Sequence, residues 1–191
     1  MANADAPFGL RPVSTLTGGD WKGKVETVAL LAADSTATFV GDPVKLSGTA
    51  SADGLYPSVA QCAAGDNIDY VIVGFEPDFD NESLNTQYRL ASTLRLARAV
   101  PVKDVIFEIQ EDSVGSNVAI TDVGQAADIV VGSGDTNTGI SGVELDSSDA
   151  GTGDQLVILG LGRDADNAIG TNAVWRVRVN ETNFAAAGTP V

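Results

Sequence analysis

Acidic side chains are the residues here that most invite a chemical reading. In PDFDNES, Asp78, Asp80 and Glu82 stand at alternate positions, as oxygen ligands do at the start of a calcium loop. The EF-hand form of that loop fails. Its sixth position needs glycine and is Ser83; its twelfth needs a bidentate glutamate and is Arg89. Asp164 and Asp166 in RDADN raise the same idea of a looser site, and a solvated loop between strands explains them equally well. Glu108, Glu111 and Asp112 in FEIQED could supply paired carboxylates. Glycosidase chemistry needs two carboxylates at a set separation in a cleft, with aromatic platforms for sugar, and the chain has only two Trp and three Tyr. Strand alternation puts Glu108 on a polar face, where a solvated position is expected.

Other chemistries are poorly served. The chain has no histidine, which removes the commonest general base, metal ligand and pH switch. Its one cysteine, Cys62, excludes an internal disulfide and a cysteine-rich zinc site. A reactive thiol would need a cationic pocket made by Lys or Arg, so Cys62 reads as a small buried hydrophobe. The Gly-rich strings GSGDTNTG (132–139) and DAGTGDQ (149–155) lack the Gly-Lys-Ser/Thr ending and the strand-helix context of phosphate loops. Arg89, Arg95 and Arg98 form one basic cluster and Arg176 with Arg178 another. On so acidic a chain these read as salt-bridge partners at an interface. No cofactor is implied.

These residues must be positioned by strands. Gly, Val, Asp and Thr are abundant, and strand patterns recur between turn residues. VETVALLAA (25–33), TFV (38–40) and GDPVKLSG (41–48) come first. SADG (51–54) reads as a hairpin tip. In DYVIVGF (69–75), Tyr70 and Ile72 point one way and Val71, Val73 and Phe75 the other, so both faces must be covered, as in a central strand or a barrel wall with packing outside it. TLRLARAVPV (93–102) also fits helical spacing, but Pro101 and its surroundings favour a strand. DVIFEIQED (104–112) alternates cleanly, ADIVVG (127–132) is short, and a polar Gly-rich span follows (133–142). DQLVILGLG (154–162) and AVWRVRVNE (173–181) flank a polar connection; Trp175, Val177 and Val179 share one face, Arg176 and Arg178 the other.

The expected fold is all-β, an antiparallel sandwich or barrel of nine or ten strands with few or no helices. An extended N-terminal arm occupies 1–20, a β-rich domain 21–180 with a soft division near 81–92, and a C-terminal arm or tail 181–191. The arm's apolar residues, Phe8, Leu10 and Val13, come singly among prolines and a glycine. That suits a segment lying on something else.

At 191 residues the chain can bury a core without staples. Its 11 basic and 26 acidic residues give a net charge of −15, which disfavours a nucleic-acid partner. No apolar run approaches the ~18 residues of a membrane span, and no secretory pattern opens the chain. The expectation is a soluble protein made in a cytoplasm, with no membrane partner.

Several segments together carry a family signal. ADAPFGLRPV (4–13), and above all FGLRP (8–12), resembles the N-terminus of tailed-bacteriophage capsid cement or decoration proteins. VGDPVKLSG (40–48), VIVGFEP (71–77), VIFEIQED (105–112), SGVELDSS (141–148) and LVILGLGRDADNAIGTNAVWRVRVNE (156–181) resemble the same group, in order, across nearly the whole chain. The resemblance implies a β-rich, non-enzymatic virion protein on the outer capsid surface. It would clamp neighbouring major capsid protein subunits and act as a homo-oligomer, with a trimer at local threefold positions favoured. Phe8, Leu10 and Pro12 would then dock in grooves of the shell or a sister subunit, and Arg11 would meet a carboxylate. The rivals are a carbohydrate-binding adhesin-like sandwich, favoured by the polar loops but short of aromatics; an enzyme, short of a constellation; and a tail or head-tail component.

Overall fold

The two-faced pattern of DYVIVGF belongs to the wall of a closed barrel. The computed structural model describes residues 3–79 and 81–184. Its strands are β1 (Arg11–Thr15), β2 (Glu26–Leu30), β3 (Pro43–Ala50), β4 (Pro57–Gln61), β5 (Tyr70–Phe75), β6 (Arg95–Pro101), β7 (Val105–Gln110), β8 (Ala126–Ala127), β9 (Ile129–Asp135), β10 (Ile140–Leu145), β11 (Leu156–Leu161) and β12 (Val174–Val179). The barrel takes the order β2-β4-β3-β5-β6. It closes through the parallel contact of β2 with β4, where Ala29 lies opposite Ser58; its other pairings are antiparallel. A five-stranded antiparallel sheet has the order β1-β7-β12-β11-β8, and β9 with β10 forms a hairpin. The all-β expectation therefore holds. The helical content of the described residues is two single 3-10 turns, Glu82–Leu84 and Ile120–Asp122.

Two hydrophobic clusters follow from this arrangement. Inside the barrel, Tyr70 and Ile72 of β5 meet Val28, Leu30, Val44 and the small Ala97 and Ala99 of β6. Outside it, Val71 and Val73 join a larger core built on Phe107, Ile109, Leu156, Ile158 and Trp175 of the sheet and on Ile129, Val143 and Leu145 of the hairpin. β5 is thus covered on both faces, as its sequence requires. Phe75 departs from the expected alternation. The register of β5 against β6 shifts between Ile72 and Gly74, and Phe75 packs with the barrel cluster. A bulge flips every side chain beyond it to the other face.

Proline marks where strands can begin and end. Pro43 and Pro57 open β3 and β4, and Pro101 closes β6. Pro12 lies inside β1, which is tolerable because β1 is an edge strand and no second ladder needs its missing N–H. The segment 93–102 is a strand, β6, and SADG is the tip joining β3 to β4, closed by Tyr56 N–H to Ser51 Oγ and Ser51 N–H to Tyr56 O.

Some sequence expectations are corrected. Residues 38–40 form only isolated bridges, Thr38 to Arg89 and Val40 to Ile140. The Gly-rich span instead carries the end of β9, and the described residues form twelve strands, among them β1 within the expected arm and β4 after the hairpin tip. Its glycines look unsuited to a strand, yet they fit because neighbours fill their side-chain positions. A Cβ on Gly132 would overlap Gly142 O, and one on Gly134 would overlap the Phe39 ring. Residues 81–92 join β5 to β6 within the barrel and divide nothing; the chain passes from barrel to sheet at residues 102–104. Gln155 stitches the two units: its amide donates to Ala63 O (2.9 Å) and Asp66 O (2.7 Å), and its carbonyl accepts from Ile129 N–H (3.0 Å).

The C-terminal segment is fastened as far as it is described. Asp69, fully buried, accepts from Thr182 Oγ1 and from the Asn183 backbone and side chain. Phe184 meets Tyr70 edge-on at 5.1 Å. The rest of the expected tail, 185–191, lies outside the described residues.

Candidate interaction surface

The N-terminal arm lies on its own chain. Asn3 donates to Ala168 O (2.8 Å) and Thr171 O (2.9 Å) and accepts from Ala168 N–H (3.0 Å). Gln110 takes Ala6 N–H on its oxygen (2.9 Å) and gives its amide to Ala4 O (2.8 Å). Leu10 N–H donates to Gly41 O (2.9 Å), and residues 11–15 then pair with β7. The free extended arm expected over 1–20 is, from residue 3 to 15, a strap and an edge strand. Backbone donors and acceptors explain this: an extended segment of single apolar residues satisfies them best along an unpaired sheet edge.

Each sequence-predicted residue has a definite place. Leu10 is 1% exposed and belongs to the main core, so it does not dock outward; its own barrel and sheet already cover it. Arg11 meets a carboxylate as expected, but within the chain: it bonds Glu108 Oε2 at 2.7 Å and approaches Asp164 Oδ2 at 3.4 Å. Its guanidinium also sits 4.7 Å from the centre of the Phe8 ring. Phe8 and Pro12 are half-buried. These residues form one wall of a groove of about 390 Å³, completed by Trp21, Ile72, Val73 and Ile140. The sequence carried no signal for the second wall, which comes from three segments far apart in the chain. The Trp21 indole N–H is buried there with no hydrogen-bond partner among the described residues.

Among the described acidic candidates, Glu108 and Asp164 meet at Arg11, and Glu111 and Asp112 accept hydrogen bonds from their own neighbours. Glu108 was expected in solvent; instead its side chain is only 9% exposed, because the strap lays Arg11 over it. Glu111 is fully buried and accepts from Trp175 Nε1 (3.0 Å), Val118 N–H (2.9 Å) and Ser113 Oγ (3.1 Å). Burial raises its pKa against those bonds. It is the anchor of the Trp175 indole. Asp112 accepts from Ser147 N–H and Oγ and from Val114 N–H. Among the described residues no three His, Cys, Asp or Glu side chains gather as a metal site would require. Asp80 lies outside the described residues. Cys62 is buried, and desolvation pushes its thiol pKa up, as for an inert core cysteine.

The arginines expected at an interface mostly serve loops. Arg89 is fully buried and donates to the carbonyls of Thr93, Thr36, Leu31 and Asp34. Arg95 donates to Thr86 O and Tyr88 O, each at 2.8 Å, and stacks on Phe75 at 5.0 Å. Arg176 bonds Ser14 Oγ of β1 (3.0 Å). Of the first cluster only Arg98 stays at the surface, paired with Glu76 at 2.7 Å.

No protein-family model, curated protein or solved structure matches the chain.

Proposed function

We propose that this chain is a non-enzymatic virion structural protein that binds the outer surface of a phage capsid and stabilises it by bridging neighbouring major capsid protein subunits. The observation that carries the reading is the position of FGLRP, the segment with the most recognisable resemblance to capsid cement proteins. It is a fixed, partly exposed wall of an apolar groove, held by β7 and Gly41. A prearranged surface of this kind loses little conformational entropy when a partner covers it. In this reading Phe8, Arg11 and Pro12 face the partner, and Leu10 sets their position from below. The acidic charge suits an outer surface away from packaged DNA. The chain acts as a homo-oligomer, with a trimer favoured.

The test is a mixing experiment. Purified chain is added to shells of its phage that lack it, and co-sedimentation and heat resistance of the particles are followed. Saturable binding in a fixed ratio to capsid subunits, with shells surviving higher temperature, is the expected result. Absence of binding to every shell form overturns the proposal.

A further inference from the structure

The start of the strap rests beside carboxylates that no cation offsets. A Cβ on Gly9 would crowd Ser141 Cβ, and Ala6, Pro7 and Phe8 share a surface hollow with Ser141 and Gly142 of β10. The strap therefore runs back along β10, and the next residue on the Gly142 side of that strand is Glu144. Gln110 fixes the same point from β7. It accepts from Ala6 N–H and donates to Ala4 O, which centres Asp5 on it. Beyond Gln110, Glu111 bridges Leu145, and Asp112 N–H donates to Leu145 O (3.0 Å). Asp5 of the strap and Asp112 after β7 thus converge on Glu144 from two elements. From the third, β9, the apolar Val130 lies opposite it. On its own strand the next acid, Asp146, is turned to Ser148 N–H.

Among the described residues Asp5, Asp112 and Glu144 form no ion pair, and Glu144 accepts no hydrogen bond. Glu144 is half-buried, which disfavours its charged form. Burial, then Asp5 and Asp112, push its pKa up to about 7. The strap is lightly fastened at this end, by the bonds of Asn3 and Gln110 alone. Leu10 is held quite differently, in the main core, and Gly9 just before it has a φ of +70°.

We infer that residues 3–8 form a pH-gated latch: as pH rises, Glu144 gives its proton to solvent, its charge repels Asp5, and the strap leaves β10 while Leu10 stays seated. The closed strap holds the Glu144 proton more tightly than the released one. Closure is therefore strongest in acid and weakens as pH rises through about 7. Asp5 is exposed, so added salt screens the repulsion and favours closure. The latch acts within one chain and is independent of shell binding.

The test uses the full chain. Hydrogen exchange of the Ala6 and Leu10 amides is followed by NMR at about pH 5 and about pH 8, either side of the Glu144 titration, and each rate is compared with the intrinsic rate at that pH. In the wild type, protection of Ala6 N–H falls roughly tenfold or more at the higher pH, whereas Leu10 N–H, bonded to Gly41 O, keeps its protection. Glu144→Gln keeps Ala6 protected at both. Asp42→Asn removes the other buried acid that titrates near this range and leaves the Ala6 loss in place. Carboxyl 13C titration of Glu144 gives a second reading: Asp5→Asn, at an exposed position, lowers its midpoint. Equal Ala6 protection at both pH values, a fall that persists in Glu144→Gln, a fall shared by Leu10 as in global unfolding, or a Glu144 midpoint unmoved by Asp5→Asn overturns the inference.

Discussion

Gly9 and Gly41 mark a close approach of two backbones, where the Gly41 carbonyl fills the space a side chain on Gly9 would need and the Phe8 carbonyl fills that of Gly41. Both residues have positive φ, +70° and +100°. Their contact brings Leu10 N–H to Gly41 O while Gly41 N–H reaches Ile72 O, so strap and barrel meet at this point.

Alanine at either position combines left-handed strain with overpacking. Gly9→Ala and Gly41→Ala should each lower stability by roughly 2–5 kcal/mol in urea unfolding. Gly54 is the control: its φ is +74°, but nothing lies within 4 Å of its would-be Cβ. Gly54→Ala should cost only about 1 kcal/mol. Equal losses at all three positions would show that space at the junction is irrelevant.

Arg11 and Glu108 give a second prediction. Removing Arg11 leaves a nearly buried carboxylate without its cation. Arg11 is half exposed, so solvent weakens the pair, and Arg11→Ala should cost roughly 1–2 kcal/mol. Adding Glu108→Gln removes the uncompensated charge and should recover part of that loss. A double-mutant cycle with no coupling between the two would refute the pairing.

Arg89 should resist conservative replacement. Its fork reaches the backbone carbonyls of two separate stretches, 31–36 and Thr93, from a fully buried position. A lysine has one ammonium group in place of the planar fork. Arg89→Lys and Arg89→Met should both lower stability by roughly 3–5 kcal/mol. Near-wild-type unfolding of the lysine variant would show that charge alone suffices.

Asp42 predicts a pH dependence. Burial raises its pKa from 3.8 to about 6, against hydrogen bonds from Ser141, Phe39 N–H and Gln61. The folded state therefore holds the proton more tightly than the unfolded state. This contribution to stability is complete below about pH 3.8 and is lost as pH rises through 6. Its full size is about 3 kcal/mol. Glu144 acts in the same direction: burial, then Asp5 and Asp112, push it up to about 7. Between pH 8 and pH 4 the wild type should gain thermal stability relative to Asp42→Asn, which cannot take up that proton. Parallel melting curves for the two proteins across this range would remove Asp42 from the account.

Much of the fold was legible in the sequence. The two apolar faces of residues 69–75 required cover on both sides, the Trp175, Val177 and Val179 face had to be core, and SADG had to turn. Each inference rests on period-two alternation or on turn chemistry, which are local. β9 was expected to stop at Gly132 and runs on to Asp135, because what lets glycines sit there, the Gly142 carbonyl against Gly132 and the Phe39 ring against Gly134, comes from other segments. Phe75 was assigned to the wrong face because a bulge cannot be read from alternation.

The sequence by itself determined the β class, the spacing of strands and turns, the acidic surface, and that Phe8, Leu10, Arg11 and Pro12 lie against something. Only the tertiary structure decided what that something is. Leu10 went into the chain's own core and Arg11 onto Glu108, because β7 offered an unpaired edge and a buried carboxylate at the right register. Local pattern sets which face of a segment must be covered. Which surface covers it depends on contacts between residues nearly a hundred positions apart, which no short window of sequence contains.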